Sequence, residues 1–450
     1  MNNFMRIFSV FCGALFTLTT MNVSADYTPT KTTTQVPVID SDQSSDWLGD
    51  NWSFNGFGTI GYTQTDKYDD RIPRRTIFQS GSKLQDNGFL LDSQLGFQIK
   101  GQITDHWDVV AQAVAREQFA NGFEDFVDIA FARYSTQDQW TFSVGRQAFD
   151  LFFLSDHQST GYSYDWVRPP TEYYGSIPYN YFDGLKITKQ WGDFNNDWQW
   201  KLSVGNIKAE FDNDVVDNSA GVDSTKANPI YGTELTWQTG QWHVRTSYAL
   251  FKFEQALAHD DKLDMLVNDI SPFWPDFGQI INDFTVSYDL SMTSLGALWQ
   301  YNDWKIQSEW SHISTDFIGY NGNRAYFHVA KRFKAWRPFV TLSYAHDSQQ
   351  LRYAPPPFIP PSDNEDLNEL ASILDEFYGE VVDVVTSMRH NQHSVSLGVR
   401  WDVAPQKALK LQCDKFYFKA GSGSIHGRTD FKYRNNESRS WCSVALDWVF

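Results

Sequence analysis

Ser443-Val444-Ala445-Leu446-Asp447-Trp448-Val449-Phe450 stands at the C-terminal end of the sequence. Successive side chains of an extended strand point to opposite faces, so Val444, Leu446, Trp448 and Phe450 share one face while Ser443, Ala445 and Asp447 share the other. An apolar face that ends on an aromatic, backed by a wetter face, suits a strand with lipid on one side and an aqueous lumen on the other. The same alternation recurs upstream. Leu95, Phe97 and Ile99 alternate with Gln94, Gly96 and Gln98, and Trp198, Trp200, Leu202 and Val204 alternate with Gln199, Lys201 and Ser203. Trp242, Val244 and Thr246 alternate with His243 and Arg245, Trp304 and Ile306 with Lys305, Gln307 and Glu309, and Val395, Leu397, Val399 and Trp401 with Ser396, Gly398 and Arg400.

A soluble sandwich also alternates, and connection lengths separate the two architectures. Tight links near Gly101–Asp105, Gln137–Gln139, Gly192–Asn196, Gln238–Gly240, Tyr301–Asp303, Phe333–Ala335 and Ala404–Gln406 alternate with long irregular stretches, notably 148–181, 252–284 and 346–390. Short turns at one end and long loops at the other are the layout of outer-membrane barrels. Trp107, Trp140, Trp198, Trp242, Trp304 and Trp336 follow the tight links at once, as an aromatic girdle at one membrane boundary requires. The segments predict an all-β fold, a transmembrane antiparallel β-barrel of about sixteen strands over residues 51–450.

Composition agrees. Phe 35, Tyr 21 and Trp 18 load a chain whose mean hydropathy is only −0.46, and no run beyond the N-terminus approaches the roughly 20 apolar residues of a spanning helix. A formal charge of −18 argues against nucleic acid as a partner. Three cysteines exclude a disulfide scaffold. Residues 1–25, with Arg6, an apolar run from Ile7 to Leu18 and Val23-Ser24-Ala25, are expected to be a cleaved signal peptide that holds Cys12; 26–50 reads as a flexible lead-in.

The most informative stretch comprises Val144-Gly145-Arg146-Gln147, Phe152-Phe153-Leu154-Ser155-Asp156, Trp166-Val167-Arg168-Pro169-Pro170, Glu172-Tyr173-Tyr174-Gly175 and Phe182-Asp183-Gly184-Leu185. It lies between the fifth and sixth strands and is too long for a turn and too aromatic for a solvated tail, so 148–181 is expected to fold inward. Together with Phe57-Gly58-Thr59-Ile60-Gly61, Asp92-Ser93-Gln94-Leu95-Gly96, Phe131-Ala132-Arg133-Tyr134 and the terminal strand, it resembles a family of porin-like outer-membrane proteins from gammaproteobacteria. The resemblance covers mainly residues 52–190 and implies a porin-type barrel without settling a solute. General trimeric porins share the layout, with the third loop bent into the channel as a constriction, and imply a homotrimer; their acidic Pro-Glu-Phe-Gly-Gly loop motif is absent. The terminal Val444, Leu446, Trp448 and Phe450 resemble the C-terminal signal read by the barrel assembly machinery. Outer-membrane lipid and lipopolysaccharide are the implied surroundings.

Arg116, Arg133 and Arg146 fall on the predicted third to fifth strands and are expected to point inward, because a charge on the lipid face near midplane costs about 2–4 kcal/mol. Asp150, Asp156, Asp165 and Glu172 on the loop would oppose this wall, with Arg168 able to serve either side. Two compatible readings stay open: an eyelet with a transverse field that orients solutes, or ion pairs that pin the loop.

In 346–390 a Pro-rich start is followed by Leu367, Leu370, Ile373 or Leu374, Phe377 and Val381 at helical spacing, among eight acidic and no basic residues from Asp363 to Asp383. A short amphipathic helix over the mouth is expected. Neither this stretch nor the acidic 252–284 has calcium-loop spacing. Cys413 and Cys442, on the last two strands, either pair as a disulfide or stay as thiols in the apolar band. No nucleophile elbow, His-Glu-x-x-His or phosphate-binding glycine loop is present, and neither a metal, a cofactor nor an enzyme activity is implied. The expected function is a porin, a water-filled channel for passive diffusion of small hydrophilic solutes or ions. The alternatives are a substrate-specific channel for an anionic or saccharide solute, or a plugged barrel acting as adhesin or receptor.

Overall fold

The computed structural model describes residues 51–65, 88–117, 126–175, 181–193, 195–210, 224–254, 261–285, 287–316, 321–348, 352–361, 363, 365–423 and 435–450. The expected signal peptide and lead-in lie outside the described residues. The strands are β1 (Trp52–Thr65), β2 (Gln94–Gln102), β3 (Trp107–Arg116), β4 (Val127–Ser135), β5 (Trp140–Ala148), β6 (Tyr181–Gly192), β7 (Asp197–Glu210) and β8 (Ser224–Gln238). The second half comprises β9 (Trp242–Glu254), β10 (Tyr288–Tyr301), β11 (Trp304–Thr315), β12 (Gly322–Lys331), β13 (Trp336–Asp347), β14 (Asn391–Ala404), β15 (Lys407–Phe418) and β16 (Glu437–Val449). Each pairs antiparallel with its neighbour in sequence, and β1 pairs with β16, so the sixteen strands form one closed barrel without an edge.

The exterior is apolar. Val144, Leu185, Leu295, Leu342 and Leu397 are exposed large hydrophobes on outward positions, while the residues between them turn inward. At the end with the tight turns, aromatic rings face one another across the register: Trp336 stacks on Trp401 at 4.7 Å between centroids, Trp191 on Trp198 at 6.3 Å, and Trp107 meets Tyr134 at 5.1 Å. This is the girdle that the Trp spacing predicts, and it places an indole where an apolar body meets a wet boundary. No helix among the described residues is long and apolar enough to cross a membrane, which says nothing of the strands.

Closure relies on small residues under large ones. Phe450 and Gly56 exchange both backbone hydrogen bonds at 2.9 Å, and the Phe450 ring lies where a Cβ on Gly56 would sit. Trp448 covers Gly58 in the same way across the β1–β16 seam. Cys413 and Cys442 are directly opposite on β15 and β16 and form a disulfide on the outward face, which decides between the two states the sequence left open.

At the other end, the expected helix in 346–390 is present as the long helix Glu365–Met388, and 252–284 folds as two helices, Asp261–Ile270 and Pro275–Thr285. They share a small core of Trp274, Phe277, Ile280, Tyr353, Leu374, Val381 and Val385. The apolar stripe is only partly used as expected: Leu374 and Val381 are buried, whereas Leu367, Leu370 and Ile373 are exposed, so the helix packs only from Leu374 onward. Tyr353 donates to Asp283 at 2.7 Å, and burial with that carboxylate pushes the phenol pKa up.

A guanidinium at midplane on the outside tests the orientation of the sheet. Leu397→Arg, at the centre of β14, is expected to cost about 2–4 kcal/mol and to lower the heat-modifiable, folded fraction on cold SDS gels, whereas Leu397→Val leaves it unchanged.

Candidate functional site

The chain enters the barrel where β5 ends. Gly145 has φ +126°, a backbone region that L side chains rarely adopt, and it faces Gly184, which faces Gly205. Phe182 lies over this glycine row, since a Cβ on Gly205 would come within 2.8 Å of its ring. Phe149 then packs edge-on against Phe182 at 5.5 Å and Phe251 at 5.3 Å. An aromatic side chain directly after the strand thus finds its apolar partners inside the wall, and the loop follows it inward.

From there the loop runs round the whole interior. Ser155 Oγ accepts from the backbone of Leu151 and Phe152 at 3.1 and 2.9 Å and tightens the first turn. Leu151 O accepts from Ser247 of β9 at 3.0 Å and Ser294 of β10 at 2.7 Å, and Glu309 of β11 accepts from Phe153 N at 2.9 Å. On the opposite side, Gln94 of β2 donates to Ser159 O at 2.6 Å, and Arg116 of β3 to Ser159 Oγ at 3.0 Å. Arg400 of β14 donates to the carbonyls of Tyr162 and Tyr164 at 2.6 and 3.0 Å, and Lys410 of β15 to those of Gly161 and Trp166 at 2.6 and 2.8 Å. Gln412 holds Val167 N at 2.8 Å and Arg168 O at 3.0 Å. After Pro169-Pro170 a single helical turn, α1 (Thr171–Tyr174), is wholly buried. Its Glu172 accepts from Ser343 at 2.6 Å, Gln392 at 2.9 Å and Ser394 at 3.1 Å.

The loop acids meet cations of the wall, but not the ones expected. Asp150 pairs with Lys186 at 2.5 Å and Lys201 at 3.0 Å, and Asp156 reaches Lys201 at 3.7 Å. Asp165 bridges Arg337 at 2.6 Å and Lys305 at 2.9 Å, with His328 at 3.3 Å. Arg168 serves the wall's acids: its guanidinium bonds Asp92 at 2.7 Å, donates to Thr63 at 3.1 Å and Ser443 at 3.3 Å, and lies 3.9 Å from Asp414.

The arginine trio does not oppose these acids. Arg116 pairs with Asp128 at 2.8 Å and Arg133 with Asp108 at 2.9 Å, both within the wall, and of the two only Arg116 touches the loop, through Ser159. Arg146 corrects the expectation of an inward side chain. It is in phase with Phe142 and Val144, both exposed, and sits opposite Ala130 and Asp183, so it lies on the outward side. It is tolerated there at the strand's loop end because Asp183 pairs with it at 2.9 Å and the Tyr181 ring lies 4.5 Å beneath it. The other cations that meet the loop, Lys186, Lys201, Arg245, Lys305, Arg337, Arg400 and Lys410, were not singled out from sequence. Their inward phase on alternating strands was the available signal.

Inward-facing wall residues are buried along with the loop. Lys201, Glu234, Arg245, Glu309, Arg324, His328, Arg400, Lys410 and Asp414 are all below a tenth exposed, and Asp165, Trp166, Glu172 and Tyr173 are fully covered. Toward the turn end, Gln98, Lys100, Asp108, Arg133 and Gln190 stay half-exposed.

No protein-family model and no curated protein sequence matches the chain. Solved structures similar to it include Salmonella typhi OmpF in complex with daunomycin (10% identity, 89% of this chain and 98% of that chain covered, TM-score 0.49). They also include an anion-selective porin from Comamonas acidovorans (10% identity, 89% and 99% covered, TM-score 0.47) and a loop L8 deletion mutant of OmpT from Vibrio cholerae (10%, 89% and 99%, TM-score 0.47). The likeness lies in the fold. The closed sixteen-stranded antiparallel barrel is read directly from the strand register of this chain.

Removing one member of a buried ion pair strands the other. Asp92→Asn and Arg168→Met are each expected to destabilise the refolded barrel by about 3–5 kcal/mol, read as a lower unfolding temperature in detergent; the double variant is expected to lose less than the two singles together.

Proposed function

We propose that the protein is an outer-membrane channel for small hydrophilic solutes or ions whose bore is closed, in the state described, by its own third loop. The supporting observation is burial. A water-filled lumen leaves the polar side chains of its wall wet, whereas here Lys201, Arg245, His328, Arg400 and Lys410 are covered by loop residues bonded to strands on every side of the interior. A barrel of this strand number would otherwise enclose an aqueous channel. This reading keeps the porin architecture expected from sequence and moves the control of passage to displacement of residues 149–174. It makes the protein a transporter without catalytic chemistry.

The apolar exterior, the Trp girdle and the closed register support insertion in the outer membrane, among lipid and lipopolysaccharide. In this reading residues 1–25 direct export, Val444, Leu446, Trp448 and Phe450 present the strand read by the barrel assembly machinery, and the protein assembles as a homotrimer. The plugged receptor or adhesin remains the second reading, favoured by the exposed Leu367, Leu370, Ile373 and Phe358 beyond the loop end of the barrel.

Planar-bilayer recordings separate them. Wild-type protein is expected to conduct in small or rare steps, and a variant with residues 149–174 replaced by a short Gly/Ser link in large ohmic ones, after both pass the heat-modifiability check for folding. Large permanent steps from wild type would refute closure by the loop. A silent loop-replaced variant would leave the receptor reading.

A further inference from the structure

The geometry points to an anion-binding site in the wall formed by Lys305, His328 and Arg337, now filled by the loop's own Asp165, and to an anionic, carboxylate-bearing solute as the ligand that takes its place. This rests on the reading of the loop as the closure and adds what would open it.

The three wall residues come from adjacent strands, β11, β12 and β13, whose register is continuous, so the wall holds them together with or without the loop. Their hydrogen bonds are mutually consistent. Trp166 Nε1 donates to Thr341 Oγ1 at 2.8 Å, Thr341 Oγ1 lies 2.9 Å from His328 Nδ1, and His328 Nε2 lies 3.3 Å from Asp165 Oδ2. The Asp165 carboxylate only accepts, so Nε2 carries the proton that faces it, and in that tautomer Nδ1 accepts from the Thr341 hydroxyl. Arg337 takes one carboxylate oxygen at 2.6 Å, and Lys305 takes the other at 2.9 Å. The three donors to this carboxylate come from the wall, and the acceptor comes from the loop.

The neighbouring cations are differently placed. Arg400 has Asp402 on its own strand at 2.7 Å, Lys410 has Asp447 of the next strand at 2.8 Å, and both also bind loop carbonyls. When the loop withdraws, those two keep wall carboxylates while Lys305 loses the Asp165 carboxylate that it holds at 2.9 Å. Cations in so covered a setting are costly to leave without a counter-charge, so withdrawal is favoured when an anion replaces the side chain that leaves. Two oxygens of a solute carboxylate reproduce what Asp165 offers. The solute is then both the opener and the species that the bared wall favours, which makes the open channel anion-preferring although the chain as a whole is acidic.

The test uses the full chain in planar bilayers with potassium chloride gradients, and disodium succinate or putrescine as added probe. Succinate is expected to raise the open probability of wild type severalfold, with putrescine inactive. Asp165→Asn is expected to open without succinate and to shift the reversal potential toward chloride. Lys305→Gln/Arg337→Gln is expected to open too, since the loop loses the same anchor, but without succinate dependence or chloride preference. Equal action of succinate and putrescine, or a chloride preference that survives in the double variant, would overturn the site. In the loop-replaced barrel, conduction without anion preference would remove this inference alone, whereas absence of conduction would remove the channel reading beneath it.

Discussion

A strand in a closed sheet can send a side chain only outward or inward, and closure leaves no edge where an awkward residue could be placed. In lipid the outward choice is barred to most charges, so each lysine, arginine or carboxylate that a strand carries at mid-height goes into the lumen. A narrow lumen filled by protein then requires that each of these charges meet an opposite one or a set of dipoles. The wall of this barrel meets that demand in two ways. Some charges pair along the wall, as Arg116 with Asp128, Arg133 with Asp108 and Lys410 with Asp447. Others are completed by the third loop, through Asp150, Asp165 and the carbonyls of Gly161, Tyr162, Tyr164 and Trp166.

The loop is therefore held both by polar contacts to the wall and by an apolar cluster in which Phe149, Leu151, Phe152, Leu154, Tyr164 and Trp166 gather with Phe182, Ile207, Ile230, Phe251 and Met292 of the wall. Tyr173, Tyr174 and Tyr326 gather around Glu309, and both Tyr174 and Tyr326 donate to its carboxylate. Buried polar contacts of this kind are strong when every member is satisfied and weak as soon as one is lost. A closure built from them can be stable yet switchable by a ligand that supplies the same contacts, which apolar packing alone would not allow.

Much of this was legible in the sequence because period-two alternation and turn spacing are local. The tight links, the Trp that follow them, the strand number and the inward third loop all follow from residues within a few positions of one another. The pairing inside the barrel is not local. Asp165 meets Arg337 at a chain separation of 172 and Gln392 meets Glu172 at 220, and which wall residue stands opposite a loop residue depends on the register of every strand between. Lys201, Arg245, Lys305 and Arg400 were on the wet face of the expected strands, but alternation names a face and not a partner. Arg146 is a different case: counting by two from Phe142 and Val144 puts it outward, and the cost of a charge on that face, which favours the lumen, is met by its cross-strand partner Asp183.

The seam between β1 and β16 shows why closing the barrel and seating the loop belong together. Across it, Thr59 donates to Asp447 at 2.5 Å, and the Thr63 and Ser443 hydroxyls lie 2.7 Å apart. Arg168 donates to both Thr63 and Ser443 and to Asp92 just before β2, so one loop guanidinium spans the first and last strands of the barrel. Those acceptors are brought together only when β16 has met β1. On the other face of the last hairpin the Cys413–Cys442 disulfide ties β15 to β16, while inside Lys410 and Asp447 tie the same two strands and Lys410 holds Gly161 and Trp166 of the loop. The full set of loop contacts thus presupposes a finished barrel, and once made it braces the seam from within. Access to the lumen and integrity of the wall then share the same few side chains, so a solute that competes for the loop acts on contacts that also steady the closure.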